Sequence, residues 1–190
     1  MTLAEASPTL AIADRARRLP VGARAAPAGD SSVVLCLDGL VAAVRGTPEG
    51  REAAVALAGP GEALPGGSGL LALTRSAIAS VPAVTAPEAV VSLVARLEEA
   101  AAVAALGDAS DRVAWWLLQA SRAGPGVRLS VARVGLLAGV SRETASRIVT
   151  RLVGAGLVGR VGRSLVVADP GRLPGLTPAG ERSRLVPGGG

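Results

Sequence analysis

Gly139 is the point at which this sequence leaves the least freedom. It separates two short runs, SVARVGLLA and SRETASRIVTRLV, each headed by a serine. Serine is a favoured helix N-cap because its hydroxyl accepts an otherwise unpaired N–H of the first turn. Glycine supplies the positive φ of a tight helix exit. The pattern predicts a helix over residues 131–138, a turn plugged by Val140, and a second helix opening after Ser141. Val134, Leu137 and Ala138 share one face of the first helix; Ala145, Ile148, Val149 and Leu152 share one face of the second.

That inward stripe leaves Arg142, Glu143, Ser146, Arg147 and Thr150 facing outward, with Arg151 at their border. Arginine can bond guanine O6 and N7 together, and glutamate can accept from cytosine N4. Helices that read bases do so from their N-terminal half. The run GLVGRVGRSLVVAD that follows reads as strand, glycine turn and strand, with Arg160 and Arg163 near a basic tip suited to phosphate. Arg128 adds to the same charge. Two plainer readings compete: a solvated face braced by a Glu143–Arg147 pair, and an ordinary helical hairpin.

Charge favours the first reading. Every basic residue of the 190 is arginine: eight against ten acids up to residue 107, net −2, and twelve against five beyond it, net +7. Such segregation points the C-terminal part at a polyanion. A general preference for arginine over lysine would not explain the split.

The remaining composition mostly excludes. The core must be built from Ala, Val and Leu, because Phe and Tyr are absent and Trp115 and Trp116 are the only aromatic residues. The tryptophans are expected in the core beside a hinge, one of them partly exposed at a domain contact. Histidine is absent and Cys36 is the only cysteine. This removes histidine-based zinc and haem sites, histidine catalysis, four-cysteine iron–sulfur clusters and internal disulfides. Cys36 reads as a small core residue, and no metal site is expected. No nucleophile–base constellation stands out, so an enzyme is not expected. No apolar run reaches the ~18 residues of a membrane span, and nothing at the N-terminus reads as a signal peptide. A cytoplasmic protein without membrane contact is the expectation.

Residues 1–18, rich in Ala and Arg, predict a helical segment. Residues 19–86 change to short apolar runs broken by Gly, Pro and Asp. SSVVLCLDGLVAAVRG reads as a hairpin about Asp38-Gly39. A turn at Glu49-Gly50, a strand through Val55 and Leu57, a Gly/Pro-rich loop and a strand in RSAIASVPAV follow. Several short strands favour a small antiparallel barrel or sandwich. Pro87 suits the first position of a long helix. Along that helix Val90, Val94, Leu97, Ala101 and Ala104 form a stripe, widened by Leu93, that would pack on its own domain or on a twin. Gly107 and Asp108 end it, and a further helix begins near Ser110 as its cap. Residues 174–190 form a Gly/Pro-rich tail that reads as disordered.

From Leu129 to Asp169 the chain resembles the winged helix–turn–helix of the Crp/Fnr family of bacterial transcription regulators, and SRETASR at Ser141–Arg147 matches that family's recognition-helix motif. The resemblance implies that Arg142, Glu143 and Arg147 read bases of double-stranded DNA, with Ser141, Ser146, Thr150, Arg151, Arg160 and Arg163 completing the DNA surface. The preceding helix departs from the family pattern: Arg133 stands where an acidic residue is usual, and Gly135 where alanine is usual.

Residues 19–86 are similar to the family's cyclic-nucleotide-binding β-roll, through Gly29-Asp30, Asp38-Gly39, EGRE and PGE. Residues 87–107 then correspond to its dimerisation helix, with the stripe as the seam of a two-fold homodimer, and RNA polymerase becomes a further candidate partner. In nucleotide-binding members a Gly-Glu pair and an Arg-Ser pair frame a short helix; Gly61-Glu62 and Arg75-Ser76 are the candidates here. The segment between them is long, Gly-rich and without a helix signal, so the roll reads as degenerate. Glu62 and Arg75 read also as solvated charges or as partners of each other. A cyclic nucleotide is the one candidate cofactor.

The fold expected is α+β: a small antiparallel β-roll or jelly-roll, a long dimerisation helix, and a winged helix–turn–helix over residues 108–173. The function expected is sequence-specific DNA binding at inverted repeats by a regulator whose effector is unknown or absent. The alternative is a protein–protein docking module using the winged helix and a non-sensing roll.

Overall fold

The computed structural model describes residues 16–26, 29–48, 50, 52–124 and 127–173. The tail expected over residues 174–190, and all but the end of the N-terminal segment, lie outside the described residues.

Strands β1 (Arg17–Leu19), β2 (Arg24–Ala25), β3 (Ser32–Asp38), β4 (Val41–Gly46), β5 (Glu52–Ala58), β6 (Ala63–Pro65), β7 (Gly69–Ala72) and β8 (Ser76–Pro82) form two antiparallel sheets. Their orders are β1-β8-β3-β6 and β2-β7-β4-β5. Two expectations are corrected here. Arg17 and Arg18 are strand, not the end of a helix: Arg17 lies opposite Ile78 and Leu19 opposite Ser76, so ladder pairing overrides local helix preference. And β3 and β4, though they flank Asp38-Gly39, do not pair as a hairpin but lie in opposite sheets. Gly39 at φ +80° turns the chain. The Leu40 N–H then donates to Thr74 Oγ1 at 2.8 Å, and Leu73 N–H donates to Leu40 O at 2.9 Å. These distant partners carry β4 to β7 and β5, with Val41 opposite both Ala72 and Ala58.

The second sheet is covered on both faces. Val41, Ala43, Ala56 and Ala58 pack into the interior of the roll. Ala42, Val44, Leu57 and Leu71, alternating with them, pack against the C-terminal helices. Burial on both faces is why Val41, Ala42, Ala43 and Val44 are apolar without alternation. Cys36 is wholly buried in the roll, as expected of a core residue.

Helix α1 (Pro87–Leu106) lies on the roll through Leu93 and ends at Gly107. Helices α2 (Ala109–Arg122), α3 (Val131–Ala138) and α4 (Arg142–Gly154) follow, then a hairpin of β9 (Val158–Val161) and β10 (Ser164–Val167). The cap of α2 is Asp108 rather than Ser110. Asp108 Oδ1 accepts from Ser110 N–H at 2.6 Å and Asp111 N–H at 2.9 Å, while Asp111 Oδ2 accepts from Asp108 N–H at 3.0 Å. This is a reciprocal capping box. Trp115 and Trp116 are both buried, which corrects the expectation that one would be partly exposed. Their rings meet edge to face with centroids 4.6 Å apart, a geometry adding about 0.5–1.5 kcal/mol to simple burial. Among the described residues no helix is long and apolar enough to cross a membrane.

Candidate nucleic-acid interface

Local chemistry sets the angle between α3 and α4. Ser130 Oγ accepts the Arg133 N–H at 3.3 Å and starts α3. Gly139, at φ +61°, ends it in a Schellman motif, with Gly139 N–H to Leu136 O at 3.3 Å and Val140 N–H to Gly135 O at 2.9 Å. Ser141 Oγ then accepts the Thr144 N–H at 3.1 Å and starts α4. Gly135 has a steric role: a Cβ there would lie 3.1 Å from Val140 O and 3.5 Å from the Ala145 Cβ. Its smallness lets α3 press against the head of α4. Ala145, Ile148 and Val149 are buried and Leu152 is half-buried, so the inward stripe is the one the spacing predicts.

The opposite face is open. Ser141, Arg142, Glu143, Arg147, Thr150 and Arg151 are exposed, and Ser146 is half-buried. The Glu143 carboxyl is held below the ordinary range by its own backbone N–H first, then by the Ser141 hydroxyl, with Arg142 and Arg147 adding attraction. It is therefore an ionised acceptor at neutral pH, at the positive end of a helix. Arg147 Nη2 donates to Thr144 Oγ1 at 3.4 Å. Arg151 Nη2 donates to Ser110 Oγ at 3.2 Å, tying the flank of α4 to the head of α2. The Thr150 hydroxyl donates to Ser146 O at 2.9 Å, so it is used within the helix. Thr144, Arg147, Thr150 and Arg151 line one wall of a groove whose other wall is Asp108 and Ser110.

The wing follows from its turn. Val161 lies opposite Ser164, leaving two central residues, and Gly162 takes the first of them at φ +60°. Arg163 takes the second, and Arg160 lies one strand residue back; both are exposed. Leu129 bridges to Leu165, which brings exposed Arg128 beside the wing.

Of the candidate nucleotide residues, Glu62 and Ser76 have partners within the fold. Glu62 Oε2 accepts the Gly59 N–H at 2.8 Å and meets Arg96 Nη1 at 3.5 Å, so its charged partner is Arg96 and not Arg75. Arg96, from α1, also donates to Leu57 O and Ala63 O, each at 2.5 Å. Burial pulls the Arg96 guanidinium below its usual pKa, against Glu62 and Glu99, which raise it. Ser76 is buried and its hydroxyl accepts the Leu40 N–H at 3.2 Å. Gly61 makes a turn at φ +83° and Arg75 is exposed. Between the two pairs lie β6, a turn and β7 in place of a helix.

The stripe on α1 divides between two surfaces. Val90 and Leu97 are half-buried against the roll, whereas Val94, Ala101 and Ala104 are exposed, as is Val91. Three arginines that the sequence does not single out as ties prove to be structural. Arg96 is one. Arg112 donates from Nε to Ala138 O at 3.1 Å and from Nη1 to Gly107 O at 3.0 Å. Arg133 Nη1 donates to Leu73 O. Only the Asp108–Asp111 spacing carried a legible signal of this kind, that of a capping box.

Residues 111–175 match the family of the Crp-like helix-turn-helix domain. The fold is similar to that of TTHB099, a CRP-family transcriptional regulator from Thermus thermophilus, with a TM-score of 0.67 and 17% identity over 83% of this chain and 94% of that one. It is similar also to FixK2 from Bradyrhizobium japonicum (TM-score 0.59, 21% identity, 83% and 94%). A third is CLP, the c-di-GMP responsive global regulator of Xanthomonas campestris (TM-score 0.56, 19% identity, 84% and 99%). At such identities the likeness is one of fold. No curated protein matches the chain by sequence.

Proposed function

We propose that this chain, which has the Crp/Fnr fold and carries a Crp-like helix-turn-helix domain over residues 111–175, is a sequence-specific transcription regulator that binds DNA as a homodimer. The observation that carries this reading is the row Arg142, Glu143 and Arg147, exposed on the leading half of a helix whose opposite face is buried. Two copies of α4 enter successive major grooves, about 34 Å apart, on an inverted repeat. The three residues read base edges. Ser141, Ser146 and Thr150 line the approach, and Arg128, Arg151, Arg160 and Arg163 meet phosphates, which makes affinity fall with salt.

The dimer seam is the exposed side of α1. Val91 is 71% exposed and Val94 48%; with Ala101 and Ala104 they form an apolar strip on which a two-fold partner would close. Val90 and Leu97 belong to the roll and are not part of it. The reading rests on no cyclic nucleotide, and it is supported by Glu62 pairing with Arg96 and Gly59 and Ser76 with Leu40 within the fold.

Selection of duplexes from a random pool by the full chain, followed by polarisation titrations over a salt series, tests the reading. The expected result is one inverted-repeat sequence preferred at moderate salt, with sedimentation at the mass of a dimer. Weak, salt-labile binding that is equal for every sequence would favour the docking-module alternative.

A further inference from the structure

The helical module is held to the rest of the chain at three separate places. Gly107 links α1 to α2, and Arg112 holds the Gly107 carbonyl there. At the far end of α2, Gly59 of the roll lies so close to Ala123 that an added Cβ would sit 2.8 Å from the Ala123 Cβ and 2.9 Å from its Cα. On α3, Arg133 reaches across to Leu73 O, and its Nη2 lies beside Gly22, where a Cβ would stand at an ordinary contact distance of 3.4 Å. Between these points Val44, Leu57, Leu71 and Leu73 of the roll share one apolar core with Val134 and Leu137 of α3.

Gly107 and Ala123 are separated by the length of α2, about 20 Å at 1.5 Å per residue. They define an axis, and only contacts off it, the packing of Val134 and Leu137 on the roll and the Arg133 bond, resist a turn about it. Arg133 sits on the next helix, off that axis. We infer that Arg133 is a positioning residue: its bond to Leu73 O is the directional, polar part of that off-axis hold, so the roll fixes where each recognition helix points. This rests on the DNA-binding reading above. Its consequence is a regulator whose half-site spacing is set by the roll–helix contact before any effector acts.

The test uses the full-length protein and its selected operator. Half-sites are moved apart or together in single base-pair steps, each of which rotates one half-site by about a tenth of a turn, and a duplex with one half-site is titrated alongside. Wild type is expected to lose about tenfold in affinity for the first step, as a bivalent binder does when geometry forbids joint engagement. Arg133→Ala should flatten that loss to about twofold while leaving single half-site affinity unchanged within about the same factor. Arg133→Lys, which keeps a donor for Leu73 O, should retain the steep profile. A steep profile in Arg133→Ala overturns the inference. So does equal loss of half-site and full-site binding in Arg133→Ala, or a wild-type profile that is already flat. A wild type that selects no duplex removes the DNA-binding reading itself, and this role with it.

Discussion

The Glu62 carboxylate meets the Arg96 guanidinium 3.5 Å away, where the loop after β5 passes beneath α1. The ion pair is the smaller part of that contact. Glu62 is 38% exposed, which screens its charge, whereas Arg96 is 14% exposed and satisfies two backbone carbonyls, Leu57 O and Ala63 O. Arg96→Ala should therefore cost about 3 kcal/mol, because two oxygens lose a charged donor. Glu62→Gln keeps an acceptor for the Gly59 N–H and should cost under about 1 kcal/mol. Urea denaturation of the two variants decides the matter, and equal losses would place the stabilisation in the pair instead.

The turn between α3 and α4 separates two kinds of cost. Gly139→Ala meets nothing within 4 Å, so its loss, about 1 kcal/mol, is that of holding a side-chain residue at positive φ. Ser141→Ala also costs about 1 kcal/mol, by leaving the Thr144 N–H without its cap. Hydrogen exchange distinguishes them: the Thr144 amide should exchange faster in Ser141→Ala than in a Gly139→Ala chain of matched stability.

What was legible in the sequence follows from the range of the interactions. Ser130, Gly139 and Ser141 act on residues three or four positions away, so the α3–turn–α4 unit could be read from local chemistry. Asp38-Gly39 is a true turn, yet a turn signal does not name the strand's partner. That choice is made by Thr74 and Leu73, more than thirty positions on. Arg17 and Arg18 look helical until Ile78 and Ala77 are available to pair with them. Arg133 reads as a cation in an apolar helix, and only the neighbouring roll gives it an acceptor. On α1, periodicity identified apolar positions but not which the roll would cover: Val90 is half-buried against it and Val94 is exposed.

Cys36 makes the stability of the chain sensitive to alkali. Burial first, opposed by the bond to the Asp38 carbonyl and aided by the charges of Asp38 and Glu62, pushes its thiol up from 9.0 to about 12. The unfolded chain gives up this proton before the folded one does, so the contribution is complete below pH 9 and is lost as pH rises towards 12. Denaturation midpoints from pH 8 upward should fall across that window, and Cys36→Ala should remove the Cys36 part of the fall. A thiol reagent at neutral pH should react only as fast as the chain opens.

Arg142 and Arg163 give the clearest contrast at the proposed DNA surface. Both are exposed, but Arg142 opens α4 and Arg163 sits in the turn between β9 and β10. A base-edge contact carries sequence information and a phosphate contact does not. Arg142→Ala should cost about 1–3 kcal/mol on the preferred duplex and relax the preference at one base pair of each half-site. Arg163→Ala should weaken every duplex by a similar factor and reduce the slope of log affinity against log salt by about one per subunit. Binding of all single-base variants of the operator, measured at two salt concentrations, separates these outcomes. If both variants returned the same selectivity profile, the wing and the helix would be doing the same job, and Arg142 would have no claim to reading bases.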